Sequence, residues 1–140
     1  MVFQEVLQLS AVGSGLHEIT AGVADVVSRS EIARGTCLVF VQHTSASLLI
    51  QENADPSARA DLETFFERLA PLGAAWYTHT TEGPDDMPAH LRAALTNTSE
   101  LIPVVEGRLG LGTWQGIYLF EHRDRAPRRR VVVTISGDGR

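Results

Sequence analysis

Two hydrophobic rhythms run along the chain, and they divide it into elements. "FQEVLQL" near the start alternates loosely with a period of two, which predicts a strand. Leu16, Ile19, Val23, Val26 and Val27 then recur at helical spacing until "ARG" breaks the pattern, which predicts a helix. "TCLVFVQ" is a continuous apolar, β-branched run of strand length, and "SLLIQE" is a shorter one after the polar "HTSA". Asp55 followed by Pro56 marks a helix start, with the acid as N-cap and proline in the first turn. Beyond it Ala58, Leu62, Phe65, Phe66 and Leu69 form one apolar stripe and leave Arg59, Glu63 and Glu67 to solvent. "DDMPAHLRAALTN" predicts a third helix, with capping aspartates, an early proline, and Leu91 and Leu95 one turn apart. The tail reads as β: "LIPVV", the turn pair Glu106-Gly107, "RLGLGTWQGIYLFEH" and "RVVVTISG". Hairpins mixed with helical crossovers predict an α+β fold, a single compact domain over residues 1–140 with a mainly antiparallel or mixed sheet and about three helices.

Composition narrows the chemistry. A chain of 140 residues buries enough apolar surface to fold without metal or disulfide staples, so if it binds a metal, stability is not the reason expected. The one cysteine, Cys37, lies inside an apolar strand and reads as a small buried hydrophobe. All 12 basic side chains are arginine, which excludes Schiff-base lysine catalysis and the Walker lysine. Any phosphate must be held by arginine, backbone N–H, hydroxyls or a metal. A net charge of −5 speaks against a nucleic-acid partner, and the basic cluster "RDRAPRRR" reads as a solvated turn between strands. The start lacks the pattern of a signal peptide and no apolar run approaches the ~20 residues of a membrane span, so a cytoplasmic protein is expected.

Three histidines stand at element ends beside carboxylates: His43 where "CLVFVQH" meets "TSAS", and His79 and His90 around the loop "THTTEGPDDMPAH". Each alone reads more simply as a surface or capping group. Together they are a ligand set that a divalent metal such as zinc prefers when one position stays open. Asp86, four residues before His90, is placed to orient an imidazole or handle a proton, and capping by Asp85 and Asp86 is compatible with that role. Ser45 and Ser47 share a face with His43 if the strand continues through them, and they suit phosphate binding better than a catalytic triad. Glu52, Asn53 and Asp55 cluster before the second helix, and Glu52 is a candidate base. "GRLGLGTWQG" lacks the strand-to-helix junction of a dinucleotide loop. Arg108, Thr113 and Gln115 alternate within it and on one strand would aim a cation, a hydroxyl and an amide at one phosphorylated ligand.

The stretches "HTSASLLIQENADP", "GPDDMPAH" and "IPVVEGRLGLGTWQGIYLFEHR" resemble the YjbQ family, also called UPF0047, over nearly the whole chain. The resemblance implies a homotrimer and a secondary thiamine-phosphate synthase activity, the joining of a hydroxymethylpyrimidine pyrophosphate to a thiazole phosphate with release of pyrophosphate. It implies a divalent metal, zinc or magnesium, at His43, His79 and His90, and a catalytic acid at Asp86. A non-catalytic trimer that binds a metal or a phosphometabolite is the alternative.

Overall fold

A computed structural model describes residues 1–11 and 13–140. The chain runs β1 (Val2–Leu9), β2 (Gly15–Glu18), α1 (Thr20–Ser30), β3 (Ile32–Val41), β4 (Ala46–Glu52), α2 (Pro56–Leu69), α3 (Asp86–Leu95), β5 (Ser99–Val105), β6 (Arg108–Leu109), β7 (Gln115–Glu121) and β8 (Arg129–Gly139). The fold is α+β, as expected. Its strands form two antiparallel sheets, one of five strands in the order β1-β8-β3-β5-β6 and one of three in the order β2-β7-β4.

Alternation in β3, β5 and β8 builds one wall of the core: Cys37, Val39, Val41, Ile102, Val104, Val131, Val133 and Ile135 point inward. Val23, Val26 and Val27 of α1 join the same core, and so do Ile117 and Leu119 of β7. The other face of β7 carries Tyr118 and Phe120, which pack with Leu16 against Leu62 and Phe66 of α2. Both faces of β7 are therefore covered, which is why "GIYLFE" is apolar without alternation. Burial pushes the Cys37 thiol up to about 11, consistent with an inert core residue.

Four local expectations change. Leu16 lies in β2, and α1 begins at Thr20: a four-residue strand pairing with β7 mimics one turn of helical spacing. In α2 no residue is fully buried, and Phe65 and Leu69 are exposed, whereas Glu63 turns inward to accept from the Leu16 N–H at 2.8 Å and Arg59 lies over the Tyr118 ring. In α3 the buried face is Asp86, Pro88 and Ala89, and Leu95 is exposed. Finally, β6 and β7 belong to different sheets. Arg108, Thr113 and Gln115 thus do not alternate on one strand: the chain leaves the five-stranded sheet after Leu109, turns through Thr113, and enters the three-stranded sheet at Gln115. The Glu106-Gly107 turn before it is as expected, both residues having positive φ, 51° and 76°.

Candidate metal centre

Helix α3 starts at the end of the loop after α2, and its first turn carries the site. Asp86 is 2 % exposed, a rare place for a carboxylate unless every oxygen is engaged. Its Oδ2 lies 2.6 Å from His79 Nε2 and 3.2 Å from His90 Nε2. Its Oδ1 accepts from Arg123 Nη1 at 2.6 Å. The His79 and His90 rings meet edge to face, with centroids 5.2 Å apart. Helical geometry explains the His90 contact, since residues four apart share a face. The loop turn through Gly83 and Pro84 returns His79 to the same point. Burial works against ionisation of Asp86, but the hydrogen bond from His79 and the charges of His90 and Arg123 outweigh it and hold the carboxyl below its usual range.

Sequence reasoning missed Arg123, because it sits in a basic run that reads as solvated. Its guanidinium binds Asp86, donates to the Glu82 carbonyl at 2.8 Å, and places Nε 3.2 Å from Asp85 Oδ2. Asp85 also accepts from the Asp124 N–H at 2.9 Å, so its side chain ties the loop to the end of β7 rather than capping α3. One arginine thereby fixes loop, helix start and carboxylate. Arg123→Lys keeps the charge and loses the fork. We expect it to weaken divalent-metal affinity by about tenfold or more while the fold survives, as measured by competition with a chelating dye.

Glu121 ends β7, His122 and Arg123 follow it, and each serves a different network. Glu121 and Arg129, respectively 0 % and 1 % exposed, form a bidentate pair, with Arg129 Nε to Glu121 Oε1 at 2.7 Å and Nη2 to Oε2 at 2.5 Å. Arg129 also donates to the Ser45 carbonyl at 3.1 Å and stands 3.3 Å from His43 Nδ1. The basic run is therefore only partly a solvated turn: its two ends, Arg123 and Arg129, are structural. Ser47 Oγ is 2.8 Å from His122 Nε2. It does not share a strand face with His43, because the chain breaks between β3 and β4.

His122 is buried, and burial, then the charges of Arg92 and Arg129, push its pKa down to about 3. The unfolded value is ~6.5, so between the two the unfolded chain binds more protons. This group's contribution is complete above about pH 6.5 and is lost as pH falls toward 3, by up to ~1.4 kcal/mol per pH unit. Urea unfolding at pH 7 and pH 5 should show a fall about 2 kcal/mol larger in the parent chain than in His122→Asn.

The structure unites His79, Asp86 and His90, whose donor atoms all lie within 4.8 Å of one another, the cluster of this kind among the described residues. His43 stands elsewhere. The Arg130 N–H donates to its Nε2 at 2.8 Å and its Nδ1 faces the Arg129 guanidinium at 3.3 Å, so both ring nitrogens are turned to donors within the chain. Burial and the charge of Arg129 lower its pKa, favouring a neutral ring. His43 and His90 nonetheless line one cleft of about 360 Å³, together with Thr44, Thr98, Ala93 and Ala94. A second cleft of about 380 Å³ adjoins His79 and is lined by Tyr77, Gly83, Pro84 and Met87. Glu52 and Gln115 are register partners at the far end of the β4–β7 pair from Glu121, with Asn53 bonded there to Glu18 at 3.1 Å. Arg108 borders a groove between α1 and the β5–β6 hairpin. Thr113 lies in the turn before β7.

A small α+β domain with a two-histidine, one-aspartate cluster at a helix start is the class that fold and site define. The family model for UPF0047 protein YjbQ-like matches residues 5–138. The chain belongs to the YjbQ/UPF0047 family. It is 55% identical over 135 residues to the UPF0047 protein sll1880 of Synechocystis sp., covering 96% of this chain and 92% of that protein. The UPF0047 protein YjbQ of Salmonella typhimurium is 42% identical over 99% of this chain and 100% of its own length. The crystal structure of a YbjQ-like protein of unknown function from Sulfolobus solfataricus P2 superposes with a TM-score of 0.90 at 30% identity, over 99% of both chains. No helix among the described residues is long and apolar enough to cross a membrane.

Proposed function

We propose that the chain is a metal-dependent enzyme of the secondary thiamine-phosphate synthase type, with His79, His90 and Asp86 as the protein ligands of a divalent ion. The observation that carries this reading is the shared approach of two imidazole nitrogens to one buried carboxylate oxygen, at 2.6 and 3.2 Å. Metal bonds of ~2.0–2.2 Å put neighbouring ligand atoms roughly 3–3.5 Å apart, so small side-chain shifts suffice for the cluster to fit an ion. Two nitrogens and one oxygen suit zinc better than magnesium. An ion held there would neutralise charge on a departing pyrophosphate.

The chain's own residues supply the rest. Arg123 holds Oδ1 of Asp86 and so keeps Oδ2 turned to the histidines. The clefts on the His79 and His90 sides give two molecules separate approaches to one centre, as a joining reaction requires. His43 and Thr44 belong to the wall of one of them rather than to the ligand set, while the Ser45 carbonyl is bound by Arg129 and the Ser47 hydroxyl by His122 and Thr96. Glu52, Asn53, Arg108, Thr113 and Gln115 reach a phosphorylated ligand only if a neighbouring copy brings them to it. A homotrimer is part of the proposal. The outer face of the five-stranded sheet supports it by exposing Val6, Leu38, Phe40 and Leu101 together on paired strands. Sedimentation as a monomer at micromolar concentration would contradict that part.

The test is turnover. Purified chain loaded with zinc should release pyrophosphate from hydroxymethylpyrimidine pyrophosphate and thiazole phosphate, and His90→Ala should lose the ion and about 100-fold or more of that rate together. Tight metal binding without turnover would favour the non-catalytic reading.

A further inference from the structure

The two clefts at the cluster differ in chemistry, although each is lined by one of its histidines. On the His90 side, His43, Thr44 and Thr98 give the wall hydroxyls and an imidazole. On the His79 side the cleft of about 380 Å³ is lined by Ala74, Tyr77, Pro84 and Met87, with His79 and Thr80 as its more polar members. The Tyr77 hydroxyl is already engaged, donating to the Pro71 carbonyl at 2.7 Å. With His79 turned to Asp86, the polar side chain left to that wall is Thr80.

Tyr77 is fixed by three contacts of its own. Its N–H donates to the Ala74 carbonyl at 3.1 Å, its hydroxyl is held by Pro71, and the Trp76 ring meets its ring edge to face, with centroids 4.6 Å apart. An aromatic side chain already held in place offers contact area to a ligand with little further loss of rotamer freedom. Met87 complements it, since an unbranched thioether adapts to the shape it meets and makes favourable contacts with aromatic rings. It follows Asp86 in the first turn of α3, so cleft and cluster share one turn of helix.

Such a wall suits a flat ring with few hydrogen-bonding groups. An aminopyrimidine brings two ring nitrogens and an amino group, and each that loses water without finding a partner weakens binding. A thiazole brings one ring nitrogen and a sulfur that needs no partner. We infer that the His79 cleft is the subsite for a flat, weakly polar ring, with Tyr77 and Met87 as the residues that select it. Of the two compounds in the proposed reaction it takes the thiazole, an assignment that rests on that reading. The pyrimidine is left to the hydroxyl-lined cleft beside His90.

The chain has two methionines, Met87 in the cleft and the exposed Met1, so NMR of ¹³C-methyl-methionine protein gives one reporter and one reference. The probes are the two alcohols without phosphate, hydroxyethylthiazole and hydroxymethylpyrimidine, added in turn to the full chain. The thiazole should move the Met87 methyl signal saturably, with a midpoint of about millimolar order, and leave Met1 in place. The pyrimidine should need about tenfold more to do the same, a comparison that requires no variant. Tyr77→Ala should weaken the thiazole by about tenfold or more. If that variant does not fold, Ala74→Glu, at a half-buried position of the same wall, decides in its place with a similar loss. A Met87 signal that the thiazole does not move, a pyrimidine that binds as well or better, or a midpoint indifferent to the deciding variant would overturn the subsite. Thiazole binding as described in a chain that releases no pyrophosphate would uphold the subsite and count against the reaction alone.

Discussion

Asp86→Asn is expected to weaken metal retention by about 100-fold or more and to lower pyrophosphate release by at least as much. The carboxylate is the hub of the site: Oδ2 meets both histidines and Oδ1 meets Arg123. Asparagine keeps the shape and loses the charge. An amide also presents N–H groups where the carboxylate presented an oxygen, so either the guanidinium or the imidazoles lose an acceptor. Asp86 is nearly inaccessible and Arg123 is half-buried, so the loss should also lower stability, by about 2–3 kcal/mol. Metal content, rate and urea midpoint in one preparation separate these effects. An asparagine variant with unaltered metal content would remove Asp86 from the ligand set.

The largest expected loss of stability is Arg129→Met. Glu121 is fully buried, and both its oxygens depend on Arg129, although Oε2 also accepts from the His122 and Arg123 N–H groups at 3.1 Å. Methionine fills much of the volume and supplies no charge, leaving a carboxylate uncompensated in the core. Breaking a buried pair in this way costs about 3–5 kcal/mol. In a domain of this size that corresponds to a fall in Tm of roughly 10 °C or more. The paired change Glu121→Gln with Arg129→Met should recover part of it, since no charge is then stranded. Thermal unfolding of the three variants measures this, and equal midpoints for Arg129→Met and the parent would show the pair to be solvated.

Much of this architecture is legible in the sequence because alternation and helical spacing carry it. The strands at "TCLVFVQ", "SLLIQE" and "RVVVTISG", the Asp55-Pro56 helix start and the Glu106-Gly107 turn all follow from local pattern. The second sheet does not. A four-residue strand such as Gly15–Glu18 is shorter than one helical repeat needs to be recognised, and only its pairing with β7 reveals it. Likewise "RLGLGTWQG" looks continuous because nothing local marks where a chain changes sheets. In the site, His79, Asp86 and His90 were legible by residue type and by the i,i+4 spacing of the last two. Arg123 and Arg129 were not, because a basic run reads as solvent-facing unless one knows that Asp86 and Glu121 lie buried beside it. His43 sits at the right strand end, but its ring nitrogens are turned toward Arg129 and Arg130, an orientation set by β8 and not by its own neighbours.

X-ray absorption at the metal edge of the chain loaded with one equivalent of zinc tests the central assignment most directly. The ion is expected to be bound by two imidazole nitrogens and one carboxylate oxygen, with one imidazole remaining in His79→Ala and in His90→Ala. A shell without imidazole, or one that is unchanged in both variants, would contradict it.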